Sequence, residues 1–394
     1  MRMAAIQNKN KVQYSDTQVK SAVLAVCLSF VLFGMILGMW FVHIPSVVAR
    51  LNIDNVSLGF ILLSQPLGGA VAQPILGRLA ARFGERPLLF VAYIWAPIAV
   101  ILPIMAWDIW VLVVGLFILG MSCATLNIGK SIQGSLVEIA RGKASMSLFH
   151  AFFSVGILLA TIVGSGLFAL GLNDGMGAAM VSVMLIALGM WTYPKFLPTK
   201  AIARAKRAGK RFRLPNMAIL ALVMLAFLTN LTEGSANNWS ALFLTDIKNA
   251  SGSVAAAGLA MFSGSMAVAR FAAGPIIDRI GEKPIVVSGG ILIALGMLLV
   301  VFAPWALLSA SGFMIIGVGA ANIIPLAFSA AGRTPNVVHA LAITSIANAT
   351  MLGVFVGPPL IGLLGELFGL KVAMLMIGGL GVMIAIGGGR KKWR

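Results

Sequence analysis

Glu233 lies inside an apolar run, with Asn230 before it and Asn237, Asn238 and Trp239 after it. A lone carboxylate at such depth can carry a proton, and the amides around it can bond a polar solute. It could equally serve as a structural partner for a neighbouring polar group, or sit at a helix end. Lys130 is the second oddity. With Asn127 and Gln133 it keeps an i, i+3, i+6 spacing that holds all three near one helical face. Its ammonium could hold a solute carboxylate or phosphate, pair with Glu233, or snorkel to the membrane surface. Two histidines offer proton relay near neutrality, His43 beside Trp40 and Pro45, and His150 four residues before Ser154. For His43 a neutral ring bonded within the protein is an equal alternative. Trp40 and Trp239 could stack on a sugar-like ring or mark a membrane interface. Asn348 reads as lining a cavity, and Asn322 as facing other helices.

These residues imply transport chemistry rather than catalysis. The sequence has three histidines and shows no HExxH, no Cys/His metal spacing, no Walker A and no glycine-rich nucleotide loop after a strand. No enzyme activity, cofactor or metal is implied, and without an ATP-binding unit the transport would be secondary. The two cysteines, Cys27 and Cys123, lie in apolar runs and suggest no disulfide framework.

What must position these groups is a membrane bundle. Hydrophobic residues form 60% of the chain and charged ones 10%, against about 25% charged in soluble domains. Windows of about 20 apolar residues place spans at 20–44, 55–77, 86–106, 109–135, 145–170, 175–197, 216–244, 254–275, 284–304, 306–331, 338–364 and 369–389. The fold expected is an all-α membrane protein whose twelve transmembrane helices form two pseudo-symmetric six-helix bundles. Residues 1–197 form the first bundle, 198–215 a basic cytoplasmic linker and 216–394 the second. The first twenty residues lack a cleavable signal, so the first span reads as an uncleaved helix.

The formal net charge of +18 would raise the question of nucleic acid in a soluble protein. Here the Lys and Arg concentrate at the N-terminus, the even-numbered loops, the linker and the C-terminal RKKWR. Odd-numbered loops hold only Arg50, Lys248 and Lys371 against Asp54, Asp108, Asp174, Asp246 and Glu366. That is the positive-inside pattern, and it puts both termini in the cytoplasm. The lipid bilayer, a small-molecule solute and a proton are the partners expected, with the chain acting as a monomer and no nucleic acid involved.

One segment occurs twice. GGAVAQPILGRLAARFGERPLLF (68–90) returns as SMAVARFAAGPIIDRIGEKPIVV (265–287), displaced by 197 residues, and the register continues through Gly120/Gly317 and Gly156/Gly353. The duplicated loop resembles the signature loop of the major facilitator superfamily. The second copy supplies Gly274, Asp278, Arg279, Gly281 and Lys283, with Glu282 in place of a basic residue. The first supplies Gly77, Arg82, Gly84 and Arg86, with Ala81 where the aspartate belongs. The resemblance implies that these residues form a gating latch on the cytoplasmic face, with the glycines allowing a tight turn. Arg270, about two turns from the second loop, is expected to pair at that inner gate. Span 7 often unwinds beside the substrate in this family.

A narrower resemblance lies in EGSANNWSALFL (233–244), HAFFSVG (150–156) and VGPPLIG (356–362). These are similar to a branch of bacterial inner-membrane facilitators distantly related to fucose-type sugar permeases. The branch usually carries acidic residues in span 4, where this chain has Asn127 and Gln133. The function implied is secondary active transport of a sugar-like solute or small organic anion by alternating access, coupled to protons through Glu233 or His150. An exporter of amphipathic compounds or drugs, and a non-transporting sensor or scaffold on a carrier fold, are the other readings.

Overall fold

The computed structural model describes residues 14–142, 145–172, 174–198, 217–334, 339–391 and 393, and among these every regular element is helical. Beyond Pro198 the linker lies outside the described residues. Twelve helical units are long and apolar enough to cross a bilayer. Spans 1 to 6 are Asp16–Leu51, Asn55–Phe83, Glu85–Ile104, Ile109–Arg141, Met146–Ala169 and Asp174–Lys195. Spans 7 to 12 are Ile219–Lys248, Gly252–Phe271, Glu282–Phe302, Ala306–Gly332, Ala342–Phe368 and Leu370–Arg390.

Spans 1, 2, 4 and 7 outrun their apolar windows, and several helix starts are capped by side chains. Ser15 and Gln18 form a reciprocal capping box that starts span 1 at Asp16. That span runs through Pro45 and stops at Asn52, which adopts the left-handed conformation (φ 50°). Asp108 caps span 4 by accepting from the Val111 N–H at 2.9 Å. Span 7 is one unbroken helix across Glu233–Trp239, so the unwinding expected there is absent. Span 10 does break, at Ala321–Asn322. Pro325 explains the break, since a proline lacks the N–H that would bond the carbonyl four residues back and its ring collides with that carbonyl.

The fold consists of two six-helix bundles, and the duplication read in the sequence is visible in their packing. At Gly120 an added Cβ would strike the carbonyl oxygen of Gln65, and at Gly317 it would strike that of Phe262. The same contact between spans 4 and 2 is thus repeated between spans 10 and 8, one repeat length further on. Both signature loops turn at a glycine with positive φ, 80° at Gly84 and 82° at Gly281. A side chain there would be strained. Gly77 and Gly274, expected to help form the tight turn, are instead helical and have open space around them.

An even number of spans returns the chain to its starting face, and the Tyr14 hydroxyl donates to the carbonyl of Pro198 there at 3.1 Å. At the opposite face the bundles meet where span 2 crosses span 11, with Gly59 packed on Pro358 and Gly362 on Asn55. Spans 5 and 8 also cross between bundles, bringing the Phe152 and Phe271 rings to 5.6 Å.

Candidate functional site

Four mid-span groups meet around the crossing of spans 5 and 8, and Arg270 joins them. Its Nε donates to the Ala321 carbonyl at 3.1 Å, the acceptor that Pro325 leaves free in span 10. Its Nη1 donates to the Ser154 hydroxyl at 2.8 Å and the His150 carbonyl at 3.3 Å, both in span 5. Its Nη2 lies 3.6 Å from Glu233 Oε1 in span 7. One guanidinium therefore ties three helices of the second bundle to one of the first. Arg270 is 9% exposed, so these bonds act with little competition from water.

Glu233 is held loosely by this arrangement. At 3.6 Å the contact with Arg270 is ionic without being a hydrogen bond, and Oε1 is buried with no hydrogen-bond partner. Three other buried polar atoms without partners lie within two turns of span 7, namely Asn237 Oδ1, Trp239 Nε1 and Ser240 Oγ; a further one is Trp40 Nε1 in span 1. Residues 233, 237 and 240 share one helical face. Folded proteins leave few buried polar groups unpaired, so this concentration in one helix marks a place where another molecule supplies the bonds.

Lys130, in span 4, is 1% exposed. Its Nζ sits 3.5 Å from the centre of the Phe30 ring and 4.6 Å from that of Phe33. Phe30 also makes an edge contact with the His150 ring at 5.2 Å. Among the described residues, no carboxylate lies within ion-pair distance of Lys130. The Lys130–Glu233 pair considered from the sequence is not formed, because Arg270 holds Glu233 instead. Snorkelling is likewise excluded by the burial of the side chain.

Several polar groups within spans are exposed: Asn127 near the middle of span 4, His150 in the second turn of span 5 and Asn348 in the second turn of span 11. Amide and imidazole groups facing hydrocarbon would be costly, so these faces border a water-filled chamber. Spans 2 and 11 pack closely at the face away from the termini.

Other residues singled out in the sequence lie outside this cluster. Gln133 is buried, and its amide is engaged at both atoms. Nε2 donates to Glu85 Oε1 at 2.6 Å and to the Leu197 carbonyl at 3.0 Å, while Oε1 accepts from the Leu197 N–H at 3.2 Å. It braces spans 3, 4 and 6 and has nothing left for a solute. The His43 ring nitrogen Nδ1 bonds the Met39 carbonyl at 2.6 Å and the ring packs on Phe168, the internal alternative considered for it. Asn238 Nδ2 donates to the Gly234 carbonyl at 2.8 Å, and Asn230 is half-buried. Trp40 and Trp239 are fully buried, so neither ring face is open for stacking. Asn322 donates to the Ala269 carbonyl at 3.2 Å, facing span 8 as expected.

At the signature loops, Arg82 lies over the Phe83 ring and Arg86 over the Tyr193 ring. Glu282 pairs with Arg333 at 2.5 Å, while Asp278, Arg279 and Lys283 are exposed. Asp278 takes part in none of the ion pairs among the described residues. Sequence reasoning missed two participants, Glu85 as the partner of Gln133 and the Ala321 carbonyl as the acceptor for Arg270. The proline at 325 was a signal for the second. A crevice of about 770 Å³ on spans 8, 9 and 10, lined by Ala260, Val268, Ile276, Met314 and Asn322, is nearly all apolar and opens beside the exposed Val268. It faces the lipid rather than the polar cluster.

Comparison with known proteins agrees with this architecture. The family model described as Major Facilitator Superfamily matches residues 24–247 and 222–388. An uncharacterized MFS-type transporter of Yersinia pestis is 30% identical over 350 residues, covering 88% of this chain and 89% of the relative. The uncharacterized transporter y4wD of Sinorhizobium fredii is 29% identical, covering 92% of this chain and 96% of its own length. Among solved structures, a mutant of the nucleoside transporter NupG superposes with a TM-score of 0.75 at 15% identity, over 93% of this chain and 98% of that one. A D-xylose-proton symporter superposes with a TM-score of 0.72 at 16% identity, over 94% and 97%. With its twelve spans, its doubled signature loop and a family match across both bundles, the chain belongs to the Major Facilitator Superfamily.

Proposed function

We propose that this protein is a secondary active transporter that moves a small polar organic solute across the bacterial cytoplasmic membrane in company with a proton. The two bundles, residues 1–197 and 216–394 joined by the basic linker 198–215, rock about a central chamber and expose it to each side in turn. The charge bias of the loops supports placing both termini in the cytoplasm. The chamber would then be open to the cytoplasm in the state described. A monomer suffices for this mechanism.

The observation that carries the reading is Glu233, a carboxylate at membrane depth that touches Arg270 without a hydrogen bond and has a buried oxygen left over. Protonation of Glu233 removes its claim on Arg270. The guanidinium then keeps its bonds to spans 5 and 10, so the proton frees span 7 from Arg270 while the tie to the first bundle stays. The amides of Asn127, Asn237 and Asn348 and the His150 ring supply the polar surface on which a solute would rest. The likeness to a nucleoside transporter and a sugar-proton symporter supports a hydroxylated solute, as does the resemblance to fucose-type permeases, though the folds alone are shared at such identities. Asp278, Arg279 and Lys283, exposed and apart, act as the latch that would assemble when the cytoplasmic side closes.

Proteoliposomes containing the purified protein and a pH-sensitive dye test the coupling. A transported solute should draw protons with it in the native protein, whereas Glu233→Gln should exchange solute without moving protons. Proton movement that persists at the native rate in Glu233→Gln would remove the carboxylate from this role.

A further inference from the structure

Resting on that reading of the chamber, we infer that its solute is a hydroxylated monocarboxylate of the sugar-acid or hydroxy-acid type. The carboxylate is placed against Lys130 and the hydroxyls against the face of span 7.

The argument begins with a missing counter-ion. A charge at mid-bilayer is costly, and buried charges are ordinarily paired. Lys130 is 1% exposed, and its Nζ lies over the rings of Phe30 and Phe33. The two ring contacts offset part of that cost without neutralising the ammonium. Arg270 faces Glu233, whereas no carboxylate among the described residues lies within ion-pair distance of Lys130. A negative charge brought by the solute supplies that counter-ion.

The geometry gives this anion a way in. Asn127, one turn before Lys130, is exposed to the chamber, and so is His150, whose ring shares Phe30 with Lys130. Phe33 is only half-buried, so rotation of its side chain uncovers the ammonium from the chamber side. The opposite wall then selects the rest of the molecule. Glu233 Oε1 and Asn237 Oδ1 are acceptors without donors, one turn apart on span 7. They require O–H or N–H groups, which a plain fatty or aromatic acid lacks. A neutral sugar could satisfy span 7 but would leave Lys130 bare. A molecule with one carboxylate and several hydroxyls meets both walls. With the proton on Glu233, a monoanion and a proton would cross together with no net charge moved.

The test uses the full-length protein and four defined probes: D-gluconate, D-glucuronate, glucitol and propionate. Binding is read by thermal shift and by counterflow in proteoliposomes. The two sugar acids should bind at least about tenfold more tightly than glucitol and propionate. Lys130→Met, which preserves the apolar packing, should bring gluconate down to the level of glucitol, whereas Lys130→Arg should keep part of the preference. Glucitol binding as tightly as gluconate would overturn the inference. So would gluconate affinity unchanged in Lys130→Met, or no binding of any probe to protein that still unfolds cooperatively. Proton-linked movement of glucitol that ignores Lys130 would defeat this solute class while leaving the transporter intact. Gluconate exchange that depends on Lys130 but moves no proton would do the reverse, keeping the class and removing the coupling.

Discussion

At one repeat length apart, Gly120 and Gly317 press on the backbone of spans 2 and 8 in the same way, and Gly84 and Gly281 make the same turn. The charged residues inside the spans do not repeat. Lys130 falls opposite Ala327, Glu233 opposite Ile36 and Arg270 opposite Gln73, while Trp40 and His43 correspond to Asn237 and Ser240. Glycine contacts and turns are set by backbone geometry that both bundles need in order to pack, so duplication preserved them. Charges in lipid are costly and persist only where they do something, so each bundle kept its own. The first holds a cation boxed by rings, and the second an ion pair that reaches across to the first.

That contrast can be broken at several points. Arg270→Ala should have the largest effect, since removing one partner of a buried pair costs about 3–5 kcal/mol. A large fall in the Tm of the purified protein is expected, and most of it should return in Arg270→Ala combined with Glu233→Gln. Next comes the brace of the first bundle. Glu85 is 2% exposed and accepts from Gln133 at 2.6 Å, so Glu85→Ala strands a buried amide and should cost about 1–3 kcal/mol in denaturant unfolding.

The paired turns sharpen the comparison in a different way. Gly84→Ala and Gly281→Ala should each cost about 1–2 kcal/mol and by equal amounts, because both need a positive φ. Unequal losses would show that the loops differ more than their backbones do. The smallest effect belongs to the second loop's ion pair. Arg333 is 51% exposed on its side chain, and Arg333→Ala should lower stability by no more than about 1 kcal/mol. A loss as large as that of Glu85→Ala would mean that the two loop glutamates do equivalent structural work after all.

The span pattern, the duplication and the polar residues at depth were legible in the sequence, because hydrocarbon tolerates so few polar groups that each one stands out. Which of them face one another was not. Lys130 and Glu233 look like natural partners by charge, yet spans 8 and 10 bring Arg270 to Glu233 and leave Lys130 to two phenylalanines. Gln133 shares a helical face with Lys130 and Asn127, but its depth puts it beside Glu85 and Leu197, where it braces three helices. Helical spacing fixes the side of a helix on which a residue lies, whereas its neighbours depend on crossings between distant spans. The continuity of span 7 was equally invisible, since asparagines suit a cap or a chamber wall alike.

All of this depends on exposed amides within the spans meeting water rather than lipid. The most direct measurement places a single cysteine at Asn348, with Cys27 and Cys123 replaced by alanine, and treats sealed vesicles with a membrane-impermeant maleimide. Asn348→Cys should react with reagent supplied from the side of the termini in the resting protein, and solute should slow that reaction. If it reacts from neither side, while a membrane-permeant maleimide also fails to find a hydrated thiol, there is no chamber and the account is wrong.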